Sequence, residues 1–199
     1  MQSIQRGRRL VVFTGSAFGN HPIFPETAVK VGKHLVAHQV GLVYGGGCVG
    51  LMGLVAKTVY EGGGEVIGVI PRFLKDIEGA CDFGTQIEVD SMHERKQRMC
   101  DEGDGFLALA GGVGTFEEIV EQITWRQLKQ HNKPSMFLNT LNFWRSTIAQ
   151  LDQMQSLDFI TEEKPAPFLV ANEVDDIVPI MFATQSSAVV EMRGRASRM

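Results

Sequence analysis

The sequence predicts an α/β fold, a doubly wound and mainly parallel sheet with helices on both faces, and three observations support this prediction. Short apolar runs recur along the chain and are continuous rather than alternating, as in strands buried on both faces of a parallel sheet. Helix-length segments separate these runs, which is the strand–helix repetition typical of this fold class. Many of the 22 glycines directly follow an apolar run, where a buried strand turns into a helix.

The elements follow from these runs in chain order. The predicted strands are residues 10–13, 41–44, 66–70, 106–109 and 136–138, with residues 85–90 as a further short or edge strand. The predicted helices are residues 25–39, 50–61, 91–101, 115–130, 143–155 and 175–182. No linker or internal repeat interrupts them, so residues 1–184 are predicted to form one domain. Residues 185–199 show no periodic pattern and are predicted to be a flexible tail or to exchange onto a second subunit.

Composition excludes several classes of protein. The chain has 199 residues, 44% of them hydrophobic, and a net charge of −4, whereas a nucleic-acid-binding protein would normally show a basic excess. No apolar run approaches the roughly 18 residues needed to span a bilayer. The N-terminus lacks the apolar core of a secretory signal. We therefore expect neither a nucleic acid nor a membrane as partner.

The three cysteines, Cys48, Cys81 and Cys100, are odd in number and have no CxxC spacing. This pattern favours reduced thiols in the cytoplasm over a disulfide framework. The sequence therefore predicts a cytoplasmic protein without disulfides.

Three glycine-rich segments follow predicted strands: the first (residues 15–19), second (residues 45–53) and third (residues 111–115) glycine loops. Glycine lets backbone N–H groups approach an anion, and the helix that follows adds its positive end. For any single loop, a tight strand-to-helix turn explains the glycines equally well. Because the carboxyl ends of parallel strands share one edge of the sheet, three such loops together predict an anion or nucleotide site.

Two common nucleotide motifs are not complete in this chain. Gly45, Gly47 and Gly50 have G-x-G-x-x-G spacing, but the acid expected at the end of the next strand is missing, since Glu65 precedes that strand. NAD binding is therefore disfavoured. The sequence also contains no G-x-x-x-x-G-K-[ST], which excludes a P-loop nucleotide hydrolase.

Charged residues open two of the predicted helices. Ser91 and Glu94 form a predicted capping box, and the cations Arg95 and Lys96 follow early in that helix, where they oppose the helix dipole. This placement favours an anion nearby, although a solvated basic face remains an alternative.

The second such helix has a predicted capping box of Thr115 and Glu118, which alone would explain Glu118 structurally. Glu117 likewise suits a helix start. Carboxylates beside a loop that binds an anion nevertheless repel the anion, which would be unfavourable unless they have a functional role. A structural and a functional explanation of Glu117 and Glu118 therefore both stay open.

Residues 44–53 (YGGGCVGLMG), 91–96 (SMHERK) and 110–118 (AGGVGTFEE) resemble the signature blocks of the LOG ("lonely guy") family. These proteins are cytokinin riboside 5′-monophosphate phosphoribohydrolases with Rossmann-like folds, once labelled lysine decarboxylases. The resemblance covers roughly residues 9–180. Ala110 stands where the family has proline, which affects the stiffness of the turn and not the chemistry.

The resemblance implies specific roles. Arg95 is the implied catalytic arginine and Glu118 the implied catalytic glutamate. The implied substrate contacts are Lys96, Gly112, Gly114, Thr115, Glu117 and Thr124, to which the glycine loops add Gly15, Ser16, Gly45, Gly46, Gly47, Gly111 and Val113. A further acidic contact is one of Asp76, Glu78 and Asp82, and the choice stays open.

The implied reaction is hydrolysis of the N-glycosidic bond of a nucleoside 5′-monophosphate, without a metal or other cofactor. The motifs do not identify the base. The resemblance also implies a homodimer, in agreement with a helix over residues 115–130 that is apolar on more than one face. The alternative is a non-catalytic nucleotide or molybdenum-cofactor carrier of the same fold. A pyridoxal-phosphate lysine decarboxylase has little support in a chain of this length.

Overall fold

The computed structural model describes residues 6–79 and 81–183 and shows a seven-stranded sheet in the order β4-β3-β2-β1-β5-β6-β7. Every neighbouring pair of strands is parallel, so the predicted α/β fold is confirmed. The strands are β1 (Arg9–Phe13), β2 (Gly41–Tyr44), β3 (Val66–Pro71), β4 (Thr85–Val89), β5 (Gly105–Ala108), β6 (Ser135–Leu138) and β7 (Leu169–Ala171). The α-helices are α1 (Ile23–Ala37), α2 (Gly50–Glu61), α3 (Arg72–Glu78), α4 (Met92–Glu102), α5 (Val113–Gln127), α6 (Arg145–Ser156) and α7 (Ile177–Ala183).

The two faces of the sheet carry separate apolar cores. Successive strand side chains point to opposite faces, so Leu10 and Val12 of β1 pack with helices α1, α2 and α7. Val11 and Phe13 pack with α4, α5 and α6 on the other face. Strands covered on both sides have no polar face, which explains why their sequences are continuously apolar.

One strand and one α-helix were not predicted from the sequence. Strand β7 has three residues and lies at the edge of the sheet, where its side chains are partly exposed and its apolar pattern is weak. Helix α3 begins directly after Pro71 and has seven residues. The predicted short strand near residues 85–90 is confirmed as β4 at the opposite edge. The predicted tail, residues 185–199, lies outside the described residues, and the division at residue 184 stays a prediction.

The path of the chain creates a crevice between β1 and β5. From β1 the chain runs outward to β4, then returns to β5 on the other side of β1. The connections after β1 and β5 therefore diverge, and such a switch point is where ligands bind in open α/β sheets. Within the described ranges, no helix is long and apolar enough to cross a bilayer.

The prediction of reduced cysteines is wrong for two of the three. Cys48 and Cys81 form a disulfide with a Cα–Cα distance of 5.1 Å. The two cysteines are 33 residues apart in sequence. They meet because strands β2 and β3 are neighbours, so that the chain after α3 passes the carboxyl end of β2, where Cys48 lies. Cys100 is free and buried.

Candidate active site

A cavity of about 250 Å³ occupies the crevice between β1 and β5. All three glycine loops contribute to its wall. The predicted site residues that line it are Gly15, Ser16, Gly45, Arg95, Gly112, Val113, Gly114, Thr115 and Glu118. Thr14 and Met52 also line the cavity and were not predicted. Thr14 could have been, because it directly follows a strand, as the glycine loops do.

Backbone contacts hold the three glycine loops together. The amide of Gly15 donates to the carbonyl of Ala110 at 3.1 Å, and the amide of Met52 donates to the carbonyl of Gly15 at 3.2 Å. The carbonyl of Ala110 also accepts from Thr14 Oγ1 at 3.0 Å. These hydrogen bonds fix the start of the third glycine loop, where the family's proline is missing.

Gly50 explains the close packing of the first and second glycine loops. It has a φ of +57°, and an added Cβ would lie 2.3 Å from the carbonyl carbon of Ser16. Only glycine fits there, so at this position the glycine serves both a tight turn and loop-to-loop contact.

Helix α5 begins at the wall of the cavity. Its first residue is Val113, and its N-cap residue, Gly112, has no side chain that could cap the helix. The first N–H groups of a helix have no intrahelical acceptor, and together with the helix dipole they bind anions. The residues that carry these donors, Val113, Gly114 and Thr115, line the cavity. The crevice is therefore suited to a phosphate.

The predicted capping box at Thr115 and Glu118 is wrong. Thr115 is the third residue of α5 rather than its N-cap, because the helix starts two residues earlier than predicted. The reason that the sequence offered for a glutamate at position 118, a capping box with Thr115 as N-cap, therefore does not apply. The capping of α4 is confirmed in part: Ser91 Oγ accepts from the amide of Glu94 at 3.1 Å, while the Glu94 carboxylate accepts from the amide of Asp90.

Arg95 is buried in the cavity wall, with 6% of its surface exposed. Its Nε donates to the carbonyl of Val69 at 3.1 Å and its Nη2 to the carbonyl of Gly45 at 2.9 Å. An added Cβ at Gly45 would lie 2.0 Å from Nη2, so this glycine makes room for the guanidinium. The cation that opposes the dipole of α4 is thus held by backbone acceptors from β3 and the second glycine loop.

Arg95 and Glu118 form a buried ion pair at the cavity. Nη1 of Arg95 lies 3.5 Å from Oε1 of Glu118, and the two side chains are 7% and 11% exposed. Burial of charges is costly unless they are paired and hydrogen-bonded. A buried carboxylate and a buried guanidinium that both face the cavity are available to a ligand bound there.

Lys96 belongs to a second ionic cluster on the same helices. Its Nζ contacts Oε1 of Glu117 at 2.6 Å and Oε1 of Glu121 at 3.0 Å. Burial lowers the pKa of Lys96, but the hydrogen bonds with the two carboxylates outweigh it and the net pKa is raised. Lys96 and Glu117 do not line the cavity. Glu121 was not predicted, although it shares a helix face with Glu117 at a spacing of four residues.

The other predicted contacts lie outside the cavity wall. Thr124 Oγ1 donates to the carbonyl of Val120 within α5, and Gly46 occupies a turn with a φ of +80°. An added Cβ at Gly111 would meet Thr115 Oγ1 at 2.2 Å, so Gly111 serves packing. Gly47 lies deeper in the second glycine loop, where it is buried.

The predicted acidic contact between residues 75 and 88 stays a prediction. The side chains of Asp76 and Glu78 lie outside the described part of the chain, and Asp82 is exposed.

The fold and the cavity define a class of protein: a doubly wound α/β protein with a crevice at its switch point, lined by the start of a helix and by a buried acid–cation pair. A family model described as "Possible lysine decarboxylase" matches residues 52–181. The chain belongs to this family, the LOG family that its motifs resemble.

Two plant relatives are similar over most of the chain. "Probable cytokinin riboside 5′-monophosphate phosphoribohydrolase LOGL6" of Oryza sativa subsp. japonica is 46% identical over 158 residues, 78% of this chain and 63% of the relative. "Cytokinin riboside 5′-monophosphate phosphoribohydrolase LOG2" of Arabidopsis thaliana is 43% identical over 158 residues, 78% of this chain and 74% of the relative. The chain thus spans slightly less than two thirds of the first relative and about three quarters of the second.

Solved structures share the fold at lower identity. The molybdenum cofactor carrier protein of Chlamydomonas reinhardtii aligns with a TM-score of 0.64 and 23% identity, over 89% of this chain and 99% of that protein. At this identity the likeness shows the common fold alone.

Proposed function

We propose that this protein is a phosphoribohydrolase that cleaves the N-glycosidic bond of nucleoside 5′-monophosphates, cytokinin riboside 5′-monophosphate or AMP, to free base and ribose 5-phosphate. The names of its relatives support this activity. The observation that carries the proposal is the buried pair of Arg95 and Glu118, whose charged atoms are 3.5 Å apart, beside the start of helix α5. A carrier needs the glycine loops and the helix start to bind a phosphate, but it has no use for a buried acid and cation that face the cavity.

The proposed chemistry follows from the arrangement of the cavity. The 5′-phosphate binds to the amides at the start of α5, and this binding energy positions the anomeric carbon. The C–N bond breaks through an oxocarbenium-like ribose, whose positive charge the carboxylate of Glu118 stabilises. The base leaves with the bonding electron pair, and water attacks the anomeric carbon as it gives one proton to Glu118. Glu118 then releases this proton and the base takes up one proton, which restores the carboxylate and completes the hydrolysis. Arg95 orients the carboxylate of Glu118 and stabilises negative charge in the cavity.

Incubation with AMP tests the proposal. We expect adenine and ribose 5-phosphate in equal amounts, measured by chromatography. Adenosine is the matched control: without the 5′-phosphate it forfeits the binding energy that positions the ribose and is cleaved far more slowly. Tight binding of AMP without base release would contradict the proposal and favour the nucleotide or molybdenum-cofactor carrier.

We also propose a homodimer. The start of α5 exposes Val113 and Phe116 at 84% and 44%, and Met92 at the start of α4 is 36% exposed. Exposed apolar side chains at the starts of two helices that contribute to the site support a protein interface there. Light scattering at micromolar concentration should give twice the chain mass of 21.9 kDa. Phe116→Asp should shift the protein toward the monomer, and a wild-type monomer would contradict the proposal.

The cytoplasm, predicted from the cysteine pattern, stays a proposal, and the disulfide of Cys48 and Cys81 weakens its support because only Cys100 is free among the described cysteines. A cytoplasmic protein is exposed to reducing thiols, which normally keep cysteines reduced. The disulfide of Cys48 and Cys81 would therefore meet reductants there.

A further inference from the structure

The disulfide joins the second glycine loop to the chain that follows α3. Cys48 lies in that loop and Cys81 precedes β4. Two backbone hydrogen bonds accompany the bridge: the amide of Cys48 donates to the carbonyl of Gly79 at 2.9 Å, and the amide of Cys81 donates to the carbonyl of Gly46 at 3.3 Å. The bridge therefore lies within a short backbone pairing rather than between two independent surface segments.

The loop that carries Cys48 also forms part of the cavity wall. The carbonyl of Gly45 accepts from Arg95 Nη2 at 2.9 Å. Gly50, two residues after Cys48, packs against the backbone of Ser16 in the first glycine loop. A change in the freedom of this loop would therefore reach both the buried guanidinium and the crevice.

We propose that Cys48 and Cys81 form a reversible modification site, a dithiol/disulfide couple that controls how tightly the crevice binds a phosphorylated ligand. The disulfide holds the second glycine loop in the ligand-binding arrangement, and reduction loosens it. The reversible disulfide and its effect on ligand affinity do not depend on the proposed function, whereas its effect on the turnover of AMP rests on that function.

The two cysteine residues differ in exposure, and this difference favours one order of exchange. Cys48 is exposed, and Cys81 is buried with 3% exposure. The thiolate of a small dithiol attacks Cys48 Sγ, forms a mixed disulfide and releases Cys81 as a thiolate, which takes up a proton. The second thiol of the reductant then displaces Cys48, which leaves two protein thiols and an oxidised, cyclic reductant.

Oxidation by a small disulfide such as glutathione disulfide runs in the opposite sense. The Cys48 thiolate attacks the small disulfide, forms a mixed disulfide and releases one thiolate. Cys81 then loses its proton and attacks Cys48 Sγ, which closes the protein bridge and releases the second small thiol. Both electrons pass to the small disulfide, so no other oxidant is needed.

Reduction should weaken binding more than it slows chemistry. A disulfide restricts the conformational freedom of the chain between its two cysteines. Without it, ligand binding must also order the second glycine loop, and the entropy lost in ordering the loop weakens the affinity for the ligand. We expect the Kd for ribose 5-phosphate and the KM for AMP to rise at least about fivefold, the lower end of typical coupling between sites. We expect kcat to change by less than the KM.

The experiment uses the full chain, oxidised with glutathione disulfide or reduced with dithiothreitol. Alkylation followed by mass spectrometry reports the state of each cysteine, and calorimetry measures the Kd for ribose 5-phosphate without any turnover. Cys81→Ala should behave as the reduced protein under both conditions. Cys100→Ala, which alters the free buried thiol, is the matched control and should keep the full redox response.

Each outcome bears on the proposal. A bridge that opens and closes with a fivefold change in Kd supports it, even if neither form cleaves AMP, in which case only the proposed function fails. An unchanged Kd and KM after alkylation has shown an open bridge would overturn it. So would a bridge that glutathione disulfide does not re-form, or a redox response that persists in Cys81→Ala.

Discussion

Glu118→Gln is expected to release base from AMP at least about a hundredfold more slowly than the wild type, the scale of a positioned acid–base group. The amide can neither accept a proton from water nor neutralise an oxocarbenium ion. The measurement is single-turnover base release at saturating AMP, so that a change in binding does not mimic a change in chemistry.

The fold of the Glu118→Gln variant should persist. The N-cap of helix α5 is Gly112, and Gln can replace Glu in a capping interaction in any case, so the helix start is preserved. The guanidinium of Arg95 keeps its two backbone acceptors, and the amide oxygen of Gln still accepts a hydrogen bond. We expect a loss of about 1–2 kcal/mol, which lowers the Tm by a few degrees in a chain of this size.

Two further variants decide the assignment of Glu118. Glu61→Gln, at the exposed end of α2, is the matched control and should retain wild-type activity and stability. Glu117→Gln tests the neighbouring carboxylate, which is half-exposed and paired with Lys96. If Glu118→Gln keeps most of its activity while Glu117→Gln loses it, the catalytic role belongs to Glu117.

Sequence patterns predicted the fold because the buried strands of a parallel sheet have no polar face. The same reasoning missed β7, which has three residues and is partly exposed at the edge of the sheet. It also placed the start of α5 two residues late. Gly112 and Gly114 are weak helix formers and Thr115 is a good N-cap, so local preference favoured a later start than the structure shows.

The site could be predicted only to the level of its loops and motifs. Strand-end glycines located the crevice because the strand ends share one edge. The motifs pointed to Arg95 and Glu118 separately, but their contact depends on how α4 and α5 pack against the sheet. The bridge between Cys48 and Cys81 likewise depends on the neighbouring positions of β2 and β3, which cysteine spacing does not encode.

The second large effect is expected at Arg95. Arg95→Ala removes the guanidinium that faces Glu118 and should slow base release by about 10²–10³-fold, the effect of losing one electrostatic donor. It should also destabilise the protein by about 3–5 kcal/mol, because one member of a buried ion pair is lost. Its activity is therefore measured well below its Tm, with the folded fraction checked by circular dichroism.

Arg95→Lys separates the charge of this side chain from its geometry. Lysine keeps the positive charge, but a single ammonium cannot reproduce the planar fork that donates to the carbonyls of Val69 and Gly45 while it faces Glu118. We therefore expect Arg95→Lys to fold, to bind ribose 5-phosphate at the start of α5, and still to release base at least about tenfold more slowly. Wild-type turnover in Arg95→Lys would show that charge alone is sufficient. More than a tenth of wild-type turnover in folded Arg95→Ala would remove Arg95 from the mechanism.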